Sequence, residues 1–199
     1  MSRLIESIRL ENGTFRYLHY HQQRMDFTIR ELTGKENQVR LSEYFHTASL
    51  PATGIYKCRL LYSLKKIESL EIIPYVARPV NSLRIVVDNA LTYGKKWEDR
   101  SVIDSLFKQR KECDDVLIIK NEFVTDASYS NVVFFDGLKW VTPATPLLNG
   151  VMRKHLLNTK IISEDIIRVS QIPLFRKVKL INAMLEFEGP EFSVSHIVV

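Results

Sequence analysis

The chain has only two cysteines, Cys58 and Cys113, and neither lies in a metal-ligand spacing. That excludes a disulfide-stapled scaffold and a cysteine-built zinc site, and it points to a reducing, cytoplasmic setting. Long apolar runs are missing as well: the aliphatic stretch at residues 116–119 is far too short to span a bilayer. The first ten residues interrupt their apolar positions with charge, so no signal peptide is expected. With 7 Gly and 7 Pro among 199 residues there is no fibrous or linker-like bias, and there is no internal repeat or low-complexity tract. Lysine and arginine outnumber aspartate and glutamate by 28 to 23, yet the basic residues are scattered and no aromatic stripe runs between them. That pattern argues against a nucleic-acid partner and for attraction of an anionic small molecule.

What is present fits one large domain or two small ones with a sizeable core. Residues 4–10 read as a strand, Asn12-Gly13 as a tight hairpin turn, and residues 14–17 as its return. A helix opens near Leu18, with Met25, Ile29 and Leu32 on one face, and Thr33-Gly34 ends it. A short helix is expected over residues 41–48. Residues 55–64 alternate: Tyr56, Cys58, Leu60, Tyr62 and Leu64 share one face, while Lys57, Arg59, Leu61 and Ser63 share the other. Lys65-Lys66 turns the chain back over residues 67–73. The expected organisation is a small α+β N-terminal domain at 1–76, a linker at 77–82 containing Pro79, and a barrel-like domain at 83–199. In the latter, strands are expected at 83–88, 116–119, 123–125, 131–135, 138–141, 161–169, 178–182 and 192–199, with Asp136-Gly137 as a hairpin turn. Helices are expected over 99–111, buried through Val102, Ile103, Leu106 and Phe107, and from Asn149-Gly150 through Leu157. Short strands with interspersed helices give a mixed α/β class, not a doubly wound sheet.

Four places could carry chemistry. Lys96, beside Lys95 and four residues before Arg100, has the cationic company that helps a lysine lose its proton and act as a nucleophile. Asp126 follows Val124-Thr125 and precedes Asn131 by five residues. Gly150-Val151-Met152-Arg153 puts a glycine ahead of a helix, where backbone N–H groups can approach a phosphate. Arg24, on the first helix, could hold an anion through its fork. Each also has an ordinary reading: a solvated lysine pair, a turn residue or helix cap, a loop-to-helix junction, and a surface arginine.

The order and spacing of these residues resemble the fold type IV pyridoxal phosphate (PLP) enzymes, the class IV aminotransferase family. It includes branched-chain and D-amino-acid aminotransferases and 4-amino-4-deoxychorismate lyases. The resemblance implies that Lys96, not Lys95, is the lysine bonded to PLP. It implies that Asp126 pairs with the ring nitrogen, where the family carries a glutamate one methylene longer, and that Asn131 supports it. The phosphate would meet the amides after Gly150, at Val151 and Met152, and the run from Asn149 to Arg153 is close to the N-G-I-M-R form of the lyases. Leu18, His21 and Arg24 match the family's L-x-x-H-x-x-R helix, whose arginine reaches the phosphate. Ser7, in Ile5-Glu6-Ser7-Ile8-Arg9, and the basic pair Lys57 and Arg59 match positions facing substrate; Asn182-Ala183 matches a pair near the phosphate; Asp114-Asp115 matches a structural pair. The implied fold is a two-domain, D-amino-acid-aminotransferase-like architecture with a shortened N-terminal domain, because the family's first hairpin is missing ahead of Ile5. The implied activity is 4-amino-4-deoxychorismate lyase, which releases pyruvate to leave 4-aminobenzoate, a folate precursor. The alternatives are a branched-chain or D-amino-acid aminotransferase and a catalytically degenerate binding module. A homodimer, a small amine or carboxylate substrate and no metal complete the expectation.

Overall fold

A computed structural model describes residues 3–46 and 49–199. The chain forms two compact units, one of Met1–Ala77 with Lys95–Asp99, the other of Arg78–Gly94 with Arg100–Val199. The short segment that carries Lys96 therefore belongs to the first unit, although its neighbours in sequence on both sides belong to the second.

The first unit is a four-stranded antiparallel sheet with two helices. Its strands are β1 (Leu4–Glu11), β2 (Thr14–Phe15), β3 (Ile55–Tyr62) and β4 (Ile67–Pro74), in the order β2-β1-β3-β4. Asn12 and Gly13 both take positive φ, 48° and 76°, which a two-residue hairpin of this twist requires. Helices α1 (Leu18–Thr33) and α2 (Leu41–His46) follow; the last two residues of the second expected helix, Thr47 and Ala48, lie outside the described residues. Gly34 ends α1 in the left-handed region at φ 68°, its N–H bonded to Arg30 O. The core joins Leu4, Ile8 and Leu10 of β1 to Met25, Ile29, Leu41, Phe45, Cys58, Leu60 and Tyr62. Leu32 does not join it. The buried stripe of α1 closes at Thr28 and Ile29, and Leu32, in the last turn, is 41% exposed.

The second unit carries β5 (Leu83–Val87), α3 (Ser101–Phe107), β6 (Asp115–Lys120), β7 (Phe123–Ala127), β8 (Asn131–Phe135), β9 (Trp140–Pro143), α4 (Val151–Asn158), β10 (Ile162–Asp165), β11 (Lys177–Ile181), β12 (Glu191–Ser193) and β13 (Ile197–Val198). Its sheet runs β10-β9-β8-β7-β6-β5-β13, with β11 on β8 and β12 on β11. The pairs of β5 with β6, β5 with β13 and β9 with β10 are parallel, and the remaining pairs are antiparallel. β6 is buried on both faces. Leu117 and Ile119 enter one apolar cluster, while Val116 and Ile118 enter another with Ile103 and Leu106 of α3. That explains its unbroken aliphatic run.

Several expected boundaries move, each for a local reason. The expected helix over 99–111 is a seven-residue helix that tightens into a 3₁₀ turn at Lys108–Arg110 and stops at Lys111, with φ 51°. So short a helix buries Ile103 and Leu106 but leaves Val102 51% exposed. Leu138 is not in a strand; it sits at the tip of the hairpin, where Asp136 Oδ1 accepts the N–H groups of Leu138 and Lys139. The expected strand over 161–169 ends at Asp165, because the chain then leaves β9 and bonds across to β7 (Val124 N to Ile167 O, 2.9 Å) before a 3₁₀ segment at Val169–Leu174. The closing stretch 192–199 is divided by a 3₁₀ turn at Val194–His196. Among the described residues, no helix is long and apolar enough to cross a membrane.

Met25 and Leu32 share the expected stripe and differ in fate. Met25→Ala should cost about 2–5 kcal/mol through transfer and cavity effects, whereas Leu32→Ala should stay within about 0.5 kcal/mol; urea unfolding of both variants reads the difference.

Candidate active site

β2 spans two residues and covers only Leu10 and Glu11 of β1 on that edge. The backbone groups nearer the start of β1 still need partners. The Lys95–Asp99 segment supplies them: Ile5 N donates to Lys96 O at 2.9 Å, Glu98 N donates to Arg3 O at 2.9 Å, and Leu4 pairs with Trp97. Trp97 packs on the core of the unit, and Glu98 pairs with Arg3 and Arg59. Lys95 turns onto α1, with Nζ 4.9 Å from the Phe27 ring and 3.9 Å from Glu31. The two adjacent lysines thus have different surroundings: Lys95 faces the outside of α1, while the charge of Lys96 acts on the buried ring of His21.

Beside that segment lies a buried ionic cluster. Glu6 alternates with Leu4 and Ile8 on the inward face of β1 and is fully buried, as is His21 on α1. Arg24 donates to Glu6 through Nε at 2.8 Å and also through Nη2, and His21 Nδ1 bonds the same carboxylate at 2.6 Å. Burial pushes the Glu6 carboxyl up, but the charge of Arg24 and the bonds from His21 and Arg24 outweigh it and bring the carboxyl down to about 2. An ionised carboxylate only accepts, so His21 carries its proton on Nδ1. Its Nε2 is then a bare acceptor, buried with no hydrogen-bond partner among the described residues. Burial, chiefly, keeps this ring below the usual histidine range, with Glu6 opposing and the charges of Arg24 and Lys96 adding to the depression.

On the opposite face of the same sheet, Ser7 stands across from Arg59, and Arg9 from Lys57. Of these, Lys57 and Arg59 are the positions expected to meet a substrate carboxylate, and Ser7 the hydroxyl expected to face the site. Arg59 already bonds Glu71 at 3.1 Å and lies 3.5 Å from Glu98, and Arg9 bonds Glu11.

In the second unit the site builds from a split in the sheet. β11 pairs with β8 along its whole length, so the other edge of β8 is shared between β7 at Asn131 and β9 at Phe134 and Phe135. Asn131 sits at that division, directly across from Asp126. Its Nδ2 donates to Asp126 Oδ1 at 2.7 Å and to Leu148 O at 2.8 Å, and Leu148 N donates to Asp126 Oδ2 at 3.0 Å. Burial raises the Asp126 carboxyl to about 6, with the amides of Leu148 and Leu147, Asn131 and the charge of Arg153 pulling the other way. The aspartate is therefore held in place while ionised only with difficulty, a state that a cation opposite it would relieve.

Gly150 caps α4 without a side chain. Its lack of a Cβ is required: a methyl group there would run into Asn131 Oδ1. Asn131 thereby joins the acid to the start of a helix whose first amides, at Val151 and Met152, have no acceptor within the helix and no side-chain cap. Val151 and Met152 are themselves buried. Arg153 points away from this end, to Pro143 O, Glu164 and Asn149.

Two sequence expectations acquire different roles. Asn182, matched above to a residue near the phosphate, turns inward: Nδ2 donates to Tyr129 O and Ser130 Oγ, while Oδ1 accepts from Met184 N and Leu185 N. Its neighbour Ala183 is half-buried in the same turn. Arg100, read as electrostatic pressure on Lys96, bonds Ser128 O and Tyr93 Oη. Asp114 and Asp115 are structural as expected: Asp114 accepts from Asn81 N and Ser82 Oγ, Asp115 from Ser128. Glu6 and His21 lay inside the matched motifs, but sequence reasoning gave neither a role. The available signals were an acid at an inward position of an alternating strand and a histidine one helical turn before Arg24.

Replacing Glu6 by Gln leaves Arg24 facing a neutral partner in a buried site, and should destabilise the protein by about 3 kcal/mol or more in denaturant titrations. Asp126 behaves in the opposite sense. Its carboxyl titrates near 3.8 unfolded and near 6 folded, so between those values the folded state holds the extra proton and stability falls as pH rises. In cofactor-free protein, wild type should lose on the order of 3 kcal/mol relative to Asp126→Asn between pH 4 and pH 8. Parallel stability curves for the two proteins would contradict this.

Residues 3–187 match the Amino-transferase class IV family. A Haemophilus influenzae protein of uncharacterised function is 36% identical over 187 residues, covering 92% of this chain and 98% of its own length. A crystal structure from Haemophilus somnus, provisionally named a 4-amino-4-deoxychorismate lyase, is 31% identical with a TM-score of 0.86, covering 92% of this chain and 97% of its own. The PLP-bound form of a hypothetical aminotransferase from Mycobacterium tuberculosis shares the fold, with a TM-score of 0.75 at 15% identity over 98% of this chain and 81% of its own. The chain therefore belongs to the class IV aminotransferases, the fold type IV group of pyridoxal phosphate-dependent enzymes.

Proposed function

We propose that this chain binds PLP and acts as a 4-amino-4-deoxychorismate lyase. The observation that carries the reading is the joining of a buried carboxylate, Asp126, through Asn131 to a helix start free of any side-chain cap at Gly150. Those two features suit the two ends of the cofactor, a ring nitrogen that must stay protonated and a phosphate dianion. The residues present fit the group. The amides of Val151 and Met152 would take the phosphate. Asp126, with three donors already named on a carboxylate that offers about four acceptor positions, has room for one more, and the gain of a cationic partner would bring its carboxyl down from about 6.

When bound, PLP supplies an electron sink for charge left at the carbon beside the substrate amine. The chain's own residues do the rest. Lys96 would bond the cofactor and yield it to the incoming amine, after which its amine moves the proton at that carbon. Its backbone is held by the bond from Ile5 N to Lys96 O, beside the isolated bridge of Leu4 with Trp97. Asn131 and the amides of Leu147 and Leu148 keep the Asp126 carboxylate aimed. Glu6 fixes the guanidinium of Arg24 through two bonds along one edge. Loss of the enolpyruvyl group as pyruvate would leave 4-aminobenzoate. The run Asn149, Gly150, Val151, Met152, Arg153 and the likeness to the Haemophilus somnus protein favour the lyase over a transaminase.

Lys96→Ala should abolish pyruvate release from aminodeoxychorismate, a loss of several orders of magnitude, while Lys95→Ala retains most of it. Glutamate formed from an amino donor and 2-oxoglutarate, without pyruvate, would replace the lyase by an aminotransferase. Failure of the wild-type protein to take up PLP would leave a binding module.

A further inference from the structure

Arg100 was drawn by spacing toward Lys96, but its contacts lead elsewhere. We propose that Arg100 is a positioning residue: it clamps the turn between β7 and β8, residues 127–130, and so fixes the carboxylate of Asp126 against Asn131. Arg100 Nη2 donates to Ser128 O at 2.6 Å, and the guanidinium lies 4.2 Å from the centroid of the Tyr129 ring. Nη1 reaches Tyr93 Oη at 3.3 Å. Nε is buried, makes no hydrogen bond among the described residues, and lies 3.9 Å from Asp104 Oδ1. One side chain thus holds both the backbone and a ring of the same turn.

The turn is restrained at every residue. Ala127 N donates to Ser130 O at 2.9 Å. Ser128 Oγ donates to buried Asp115 at 2.5 Å. Tyr129 Oη donates to Asp104 at 3.4 Å, and Asn182 donates to Tyr129 O and Ser130 Oγ. Ala127, Ser128 and Ser130 are buried while Tyr129 remains 55% exposed, so the bracing reaches the exposed tip of the turn as well as its buried part. What it does fix is the spacing of the two residues that flank the turn, Asp126 and Asn131, whose side chains meet at 2.7 Å. Among the described residues, the charge that acts most on Asp126 is that of Arg153 of α4, which is itself held by Glu164. Arg100 therefore acts through hydrogen-bond geometry. Weakening the clamp lets Asn131 drift from the carboxylate and makes ionisation of Asp126 harder. The consequence for catalysis rests on the PLP reading; the clamp itself does not.

The test is made on PLP-free protein, by carbon-13 NMR titration of the Asp126 carboxyl together with hydrogen exchange at the Ser130 and Asn131 amides. In Arg100→Met the titration midpoint should rise from about 6 by about one pH unit, the loss of one hydrogen bond to a charged group, and exchange should quicken about tenfold. Arg100→Lys keeps the charge without the fork or the stacking plane, and should recover only part of both. Tyr93→Phe should change neither. Wild-type behaviour in Arg100→Met overturns the proposal, and so does full recovery in Arg100→Lys, which would reveal a purely electrostatic effect. If Arg100→Met does not fold, an unchanged Arg100→Lys overturns it alone. If wild type takes up no PLP, the functional reading falls while these two measurements still decide the clamp.

Discussion

The hydrogen bond from Ile5 N to Lys96 O is the constraint on which the functional account rests. A long β1 with only a two-residue partner on one edge leaves backbone groups that need acceptors and donors. The chain meets that need by sending five residues, Lys95–Asp99, back to the first unit between two stretches of the second. A lysine on such a segment is placed by sheet geometry, and Trp97 and Glu98 on either side of the ladder prevent it from slipping. Lys95 lies against Phe27 and Glu31, while the charge of Lys96 acts on His21.

Two buried carboxylates illustrate how environment separates similar groups. Glu6 is as buried as Asp126, yet it stays ionised to about pH 2 because Arg24 faces it. Asp126 has only neutral donors in contact and a more distant arginine, so its carboxyl rises to about 6. The first is a finished ion cluster whose value is rigidity. The second is an incomplete one, a carboxylate that a cationic partner would stabilise.

Much of this was legible beforehand where local chemistry decides. Asn12-Gly13 needs positive φ, Gly34 ends a helix, and the strand at 131–135 has its expected bounds. The residue set around Asp126, Asn131 and Gly150 was visible through spacing, and the structure brings those three into direct contact. What remained hidden depends on tertiary partners. No periodicity shows that Leu32 and Val102 fall outside the buried surface, or that the strand after Ile161 turns aside to bond with β7. Spacing set Arg100 beside Lys96, and the family resemblance set Asn182 near a phosphate; three-dimensional contacts show both converging on the turn after Asp126. Glu6 and His21 lay inside matched motifs yet received no role, because their importance lies in each other, not in either position alone.

The most direct measurement is reduction of PLP-treated protein with borohydride, followed by proteolysis and mass mapping of the modified lysine. The account predicts one pyridoxyl group per chain, on Lys96. Label confined to Lys95, label scattered over surface lysines, or no label at all would contradict it.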